Sequence, residues 1–230
     1  MRPAVPEEDM RVLNRFLLGA ALLLGATHAG ATPLNLVLPA LPDILSQFVD
    51  VKYTAATGAF SASGVALQIG VDATTTFNIL NGTFNIGITT DGTTTSGVGG
   101  DDLSIVGGLD LNNDGVADVA GTLLTGEISQ FGSSSTGPGV FEFLFDVTGG
   151  LLTTGSNPPF AQPQAGVILG ADGNSTYTGS FASDFSNLIG GQAGSGTGSA
   201  DTAPVPEPTT LLLLGSGIAG LAGFGRRERR

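Results

Sequence analysis

Phe141-Glu142-Phe143-Leu144-Phe145-Asp146-Val147 carries three phenylalanines and a valine at every second position, with Glu142, Leu144 and Asp146 between them. Successive side chains of a β-strand point to opposite faces, so the aromatic set takes one face and both carboxylates the other. The stretch predicts a half-buried antiparallel strand with one face in a core and one in water.

The same alternation extends outward. Val49, Val51 and Tyr53 alternate with Asp50, Lys52 and Thr54, and Ala56-Thr57-Gly58 reads as a turn. Phe60 and Ala62 share one parity while Val65, Leu67 and Ile69 share the other, so a bulge is expected at Ser63-Gly64. Phe77 and Ile79 lead into Asn81-Gly82, and Phe84, Ile86 and Ile88 lead out. Asn-Gly between alternating apolar runs predicts a hairpin over 75–90, because a type I′ turn needs positive φ at both central residues. Asp91-Gly92 closes that second strand, and 92–102 is a Gly/Thr-rich loop. Further strands are expected over 119–129, 140–148, 166–170 and 176–185. Only 42–48 offers a short helical turn in the body. The fold expected over 32–189 is all-β, an antiparallel β-sandwich of jelly-roll type. Residues 190–204 (GGQAGSGTGSADTAP) read as a flexible Gly/Ser linker.

Composition removes much chemistry. The chain has no cysteine, no tryptophan and one histidine, His28. His28 lies in a segment with the layout of a secretory signal peptide: basic Arg11 and Arg15, an apolar run over 16–24, and the small-residue site Ala29-Gly30-Ala31. Removal by signal peptidase after Ala31 starts the mature chain at Thr32. Acidic residues 7–9 fit this layout poorly, and Met10 is the better start. Without His28 there is no Ser-His or Cys-His pair and no zinc site of the usual ligand types. A domain of this size can bury enough core to do without disulfides. Between Thr32 and Pro204 the acids face a single base, Lys52. Such a surface repels nucleic acid and suits divalent cations.

The C-terminus has three parts in order. Val205-Pro206-Glu207-Pro208 is followed by an apolar or small-residue stretch over 209–225, headed by four leucines. Arg226, Arg227, Glu228, Arg229 and Arg230 come last. At about 17 residues the stretch is a short but usable transmembrane helix, against the roughly 20 that span a bilayer fully. The Arg cluster stays cytoplasmic by the positive-inside rule and acts as a membrane stop. Motif, helix and Arg cluster together resemble the PEP-CTERM sorting signal of Gram-negative bacteria. The resemblance covers about the last 26 residues. It implies an inner-membrane precursor processed near the motif by an exosortase, and delivery to the cell surface or outside. It also implies a setting of exopolysaccharide and biofilm. It leaves the role of the delivered domain open, with a non-enzymatic structural or interaction protein expected.

One constellation carries candidate chemistry. Asp110, Asn112, Asp114, the Val116 carbonyl and Asp118 stand at positions 1, 3, 5, 7 and 9 of a loop with Gly115 at 6. This is the start of an EF-hand-type calcium loop, in which alternate ligands turn inward around a hard cation. Gly121 occupies position 12, where the bidentate Glu belongs. Two readings stay open: a structural calcium site, and an Asx-rich turn without metal. Asp101, Asp102 and Glu127 are the candidates to complete a shell.

Two alternatives come from the polysaccharide setting. A carbohydrate-binding module would need an exposed Tyr53 or Tyr177, the only tyrosines. A glycoside-acting hydrolase would need two carboxylates about 5 to 9.5 Å apart, drawn from Glu127, Glu142 and Asp146. Gly97-Val98-Gly99-Gly100 lacks the helix and lysine of a phosphate loop, and Asp101-Asp102 would repel phosphate.

Overall fold

The computed structural model describes residues 32–134, 139–156 and 158–206. The signal segment with Ala29 and Ala31, the apolar C-terminal stretch, Glu207, Pro208 and the Arg cluster lie outside the described residues. So do the two helices expected to flank the domain.

The strands are β1 (Asp43–Thr54), β2 (Ala59–Asp72), β3 (Thr75–Thr90), β4 (Thr95–Gly97) and β5 (Leu103–Asp110). They continue with β6 (Val119–Ser133), β7 (Val140–Gly149), β8 (Gln164–Gly170), β9 (Phe185–Ser186) and β10 (Gly198–Val205). The order β10-β8-β7-β6-β5-β3-β2-β1 closes on itself, because β1 also pairs with β10. All these pairings are antiparallel. The architecture is therefore an eight-stranded antiparallel barrel, not the expected sandwich. β4 hangs on β3, and β9 on β1. A closed sheet leaves no unpaired edge, which a sandwich would have to protect.

Core and surface follow the alternation. Phe141, Phe143 and Phe145 are buried as expected. Phe60 meets Phe141 and Phe143 at ring-centroid distances of 5.1 and 5.6 Å, and Phe131 lies 5.2 Å from Phe143. Rings from β2, β6 and β7 thus fill the barrel. The outward positions of β2 and β3 include exposed Ser61, Ser63, Gln68, Asn78, Thr83 and Asn85. An apolar interior with a polar exterior is the reverse of a membrane-spanning barrel.

Several local readings change. Asn81-Gly82 is no hairpin turn: β3 runs straight through it as one 16-residue strand. Asn81 has φ 49, and the register against β5 slips between Leu80 and Thr83. A Cβ on Gly82 would stand 2.0 Å from the Ala66 carbonyl oxygen. The dipeptide therefore makes a bulge where β2 presses against β3. A long strand must bend to follow a barrel wall, and bulges supply that bend. The register of β1 and β2 does shift at Gly64, opposite Phe48, but the extra residue there is on β1, and the phase slip of β2 itself sits later. Ala66 remains buried, and the register against β1 shifts at Leu67. Residues 43–48 belong to β1, with no helical turn.

The stretch 176–185 is an irregular plug, not a strand. Its Tyr177 and Phe181, with Phe185 of β9, pack against Phe141 and Tyr53. Asn187 locks it: its side chain accepts from the Val51 N–H at 2.7 Å and donates to the Val49 and Ala171 carbonyls.

The expected linker over 190–204 is also displaced. Its second half is β10, held on both sides by β8 and β1. Only 190–197 is irregular, and there Asp50 accepts the N–H groups of Gly194 and Gly196. Small residues are needed here for packing, which composition alone cannot distinguish from flexibility.

Residues 32–38 form a strap across the outer wall of β6, β7 and β8. The Glu142 carboxylate accepts the N–H groups of Asn35 at 2.9 Å and Leu36 at 3.2 Å. Leu36 and Leu38 lie over Gly166, where any Cβ would collide with Leu38 at 2.6 Å. The outer face of β7, expected in water, is covered at Glu142 and Leu144, and Glu142 is only 8% exposed.

Candidate functional site

The loop between β5 and β6 holds Asp110, Asn112, Asp114, Val116 and Asp118. β5 ends at Asp110, and β6 returns opposite it, with Leu109 paired to Val119. Asn113 and Gly115 both adopt positive φ, which turns the chain sharply. The loop is closed by its own hydrogen bonds. Asp110 is buried, and its carboxylate accepts the N–H groups of Asp114 at 3.1 Å and Gly115 at 2.9 Å. Asp118 accepts from the Leu111 N–H at 2.7 Å, and Asp114 from the Val116 N–H at 2.8 Å. Asn112 bridges to Asp114 through its amide.

Asp110, Asn112, Asp114 and Asp118 thus each cap a backbone donor of their own turn. The carboxylates do not gather around a point, and no group of three acidic side chains among the described residues is arranged to hold a metal. The candidate shell residues lie elsewhere. Asp102 is buried and accepts from the Val98 and Ile128 N–H groups, and Asp101 accepts from the Thr148 hydroxyl.

The hydrolase carboxylates are separated by role. Glu142 is sealed under the strap. Asp146 is exposed on the outer wall and accepts from the Gln164 amide at 2.8 Å. Glu127 is the cross-strand partner of Asp146. Partial desolvation and then the neighbouring Asp102 carboxylate raise its pKa. Neither tyrosine offers a ring to a sugar. Tyr53 is buried with its hydroxyl on the Thr90 carbonyl, and Tyr177 is buried with its hydroxyl 2.8 Å from that of Ser133.

Of the sorting motif, Val205 and Pro206 are described. Val205 is the last residue of β10, paired to Gln164. The side chain of Val205 approaches Gly166 beside Leu36 and Leu38 of the strap, so both ends of the described chain meet there. Residue types could not reveal that the motif begins inside a barrel strand, because the strand that carries it looks like a linker.

These observations define a class: a phenylalanine-filled antiparallel barrel joined, without a spacer, to a C-terminal sorting tail. The family model of the PEP-CTERM protein-sorting motif matches residues 204–230. The chain is thus a protein with a PEP-CTERM sorting domain, which marks it for export, for a membrane-held precursor and for processing by an exosortase. No curated protein and no solved structure matches it.

Proposed function

We propose that the barrel is a non-enzymatic structural or interaction module, delivered to the cell surface or the extracellular matrix, where it associates with exopolysaccharide in a biofilm. One observation carries this reading. The barrel interior is packed with aromatic rings, and Asp102, Asp110 and Glu142 are committed to backbone N–H groups, as building elements are. A strongly acidic surface with Lys52 as its one base keeps such a module soluble and away from nucleic acid.

The test uses the processed protein recovered from exosortase-competent cells, mixed with polysaccharide from the same cells. Co-sedimentation without release of reducing ends is expected. Release of reducing ends that disappears in Glu127→Gln would replace this reading with the hydrolase.

A divalent cation such as calcium is, in this reading, a guest of the 110–118 loop and not its builder. The turn is already closed by Asp110 and Asp118. The Val116 N–H occupies one lone pair of the Asp114 carboxylate and leaves others free, so an ion adds to this closed turn without displacing its N–H groups.

A further inference from the structure

Pro206 leaves the barrel at one rim, and the strand register dictates what shares it. Val205 is level with Gln164 and Asp146 across β10, β8 and β7. β7 then runs on to Gly149, where β6 meets it at Thr125, and β6 extends to Val119 opposite Leu109. The loops between β5 and β6 and between β7 and β8 therefore project from the same end as Val205, beyond its level. They expose Leu111 at 44%, Val116 at 65% and Leu151 at 40%. Leu41 and Val119 stand exposed at the adjoining strand ends.

Exposed apolar side chains occur at the far end too, such as Val140 and Ile189. The tether distinguishes the two ends. The apolar stretch begins at Thr209, four residues after Val205, a reach of at most about 14 Å in extended chain. The headgroup layer of a bilayer is itself about 5–7 Å thick on each side. A rim held this closely, with loops that project past the attachment point, stands at headgroup level.

We propose that in the membrane-held precursor this rim rests on the bilayer, with Leu111, Val116 and Leu151 set among the lipid headgroups. The proposal depends on the reading of residues 209–225 as the membrane-held tail. The tether supplies the association, since a short linker gives a very high effective concentration at the surface. The rim also carries Asp43, Asp72, Asp114 and Asp118, which anionic headgroups repel. Contact should therefore tighten as salt rises and screens that repulsion, opposite to a basic peripheral protein.

The chain has no cysteine, so single labels are clean. The full chain is reconstituted into vesicles of phosphatidylethanolamine and phosphatidylglycerol, with an environment-sensitive dye on Val116→Cys, Leu151→Cys, Thr57→Cys or Leu213→Cys. Thr57 lies in the turn at the far end. Nitroxide lipids labelled at the headgroup or deep in the acyl chain act as quenchers. The expected result is deep quenching at 213, and headgroup quenching at 116 and 151 several-fold above that at 57, increasing with salt. Deep quenching at 213 with equal headgroup quenching at 116, 151 and 57 overturns the docked rim and leaves the anchored tail intact. No deep quenching at 213 overturns the anchored reading, and the proposal with it. Unchanged unfolding midpoints of the labelled chains guard against a misfolded variant, and the two rim positions check each other.

Discussion

β7 and β10 are both barrel strands with a buried inward face, yet one is obvious in the sequence and the other is hidden. β7 reads VFEFLFDVTG and sends Phe141, Phe143 and Phe145 inward. β10 reads GSADTAPV and sends Gly198, Ala200 and Thr202 inward, all of them buried. The interior is already occupied by rings from β2, β6 and β7, so the strand that closes the barrel can bring only small side chains. Hydrophobic alternation reports how much volume a strand contributes to the core. It does not report whether the strand is there.

The largest expected effect tests the β7 side. Phe143→Ala leaves a cavity in the middle of the ring cluster and should cost about 3–5 kcal/mol in urea unfolding. A loss under about 1 kcal/mol would mean that the rings do not carry the core. Asn187→Ala comes next. It strips the Val51 N–H and the Val49 and Ala171 carbonyls of their buried partner, at an expected cost of about 2–3 kcal/mol. Hydrogen exchange should rise in the plug before it rises in β7.

Ala200→Leu addresses β10 directly. In a linker it would be silent. In a packed strand it overfills the interior and should lower stability by about 1–3 kcal/mol. A midpoint unchanged from the parent would restore the linker.

The seam between β1 and β10 has its own titration. Burial, and then the charge of Asp201, raise the Asp43 pKa to about 6 from 3.8. The folded state therefore holds a proton that the unfolded chain has lost, and stability falls as pH rises from about 4 to about 6. The group is half solvated, so the loss is about 1 kcal/mol after allowance for screening. Asp43→Asn should flatten the pH dependence of the midpoint in this window and raise stability at pH 7. An unaltered slope would place the titrating group elsewhere.

The smallest effect is expected for calcium. With the 110–118 loop closed by its own hydrogen bonds, millimolar calcium against a chelator should change stability by less than about 1 kcal/mol. Saturation at a hundredfold excess over Kd would give about 2.7 kcal/mol. A shift of that size, lost in Asp110→Ala/Asp114→Ala, would make the ion a builder of the loop.

The same contrast separates features that near neighbours in the chain set from those that distant segments set. The strand at 140–148, the turn at 56–58 and the turn residues of 110–118 depend on near neighbours, and local pattern revealed them. Asn81-Gly82 carries the right residues for a hairpin, but its conformation is set by Ala66 pressing from the next strand. Glu142 has the parity of a solvated position, but the strap more than 100 residues earlier in the chain covers it. Tyr53 and Tyr177 show the same limit, because a ring's exposure depends on what is packed over it.

By itself the sequence determined the β-rich body, the acidic surface, the chemistry excluded by the missing cysteine, and the C-terminal address. Each of these depends on residue identity or on spacing within a few positions. Tertiary structure alone decided that the sheet closes, that the supposed linker is the closing strand, and that the sorting motif starts at the barrel rim. Closure rests on Ile44 meeting Thr202 across most of the chain. Backbone hydrogen bonds between such distant segments are made by any residue type, so they leave no mark in local pattern.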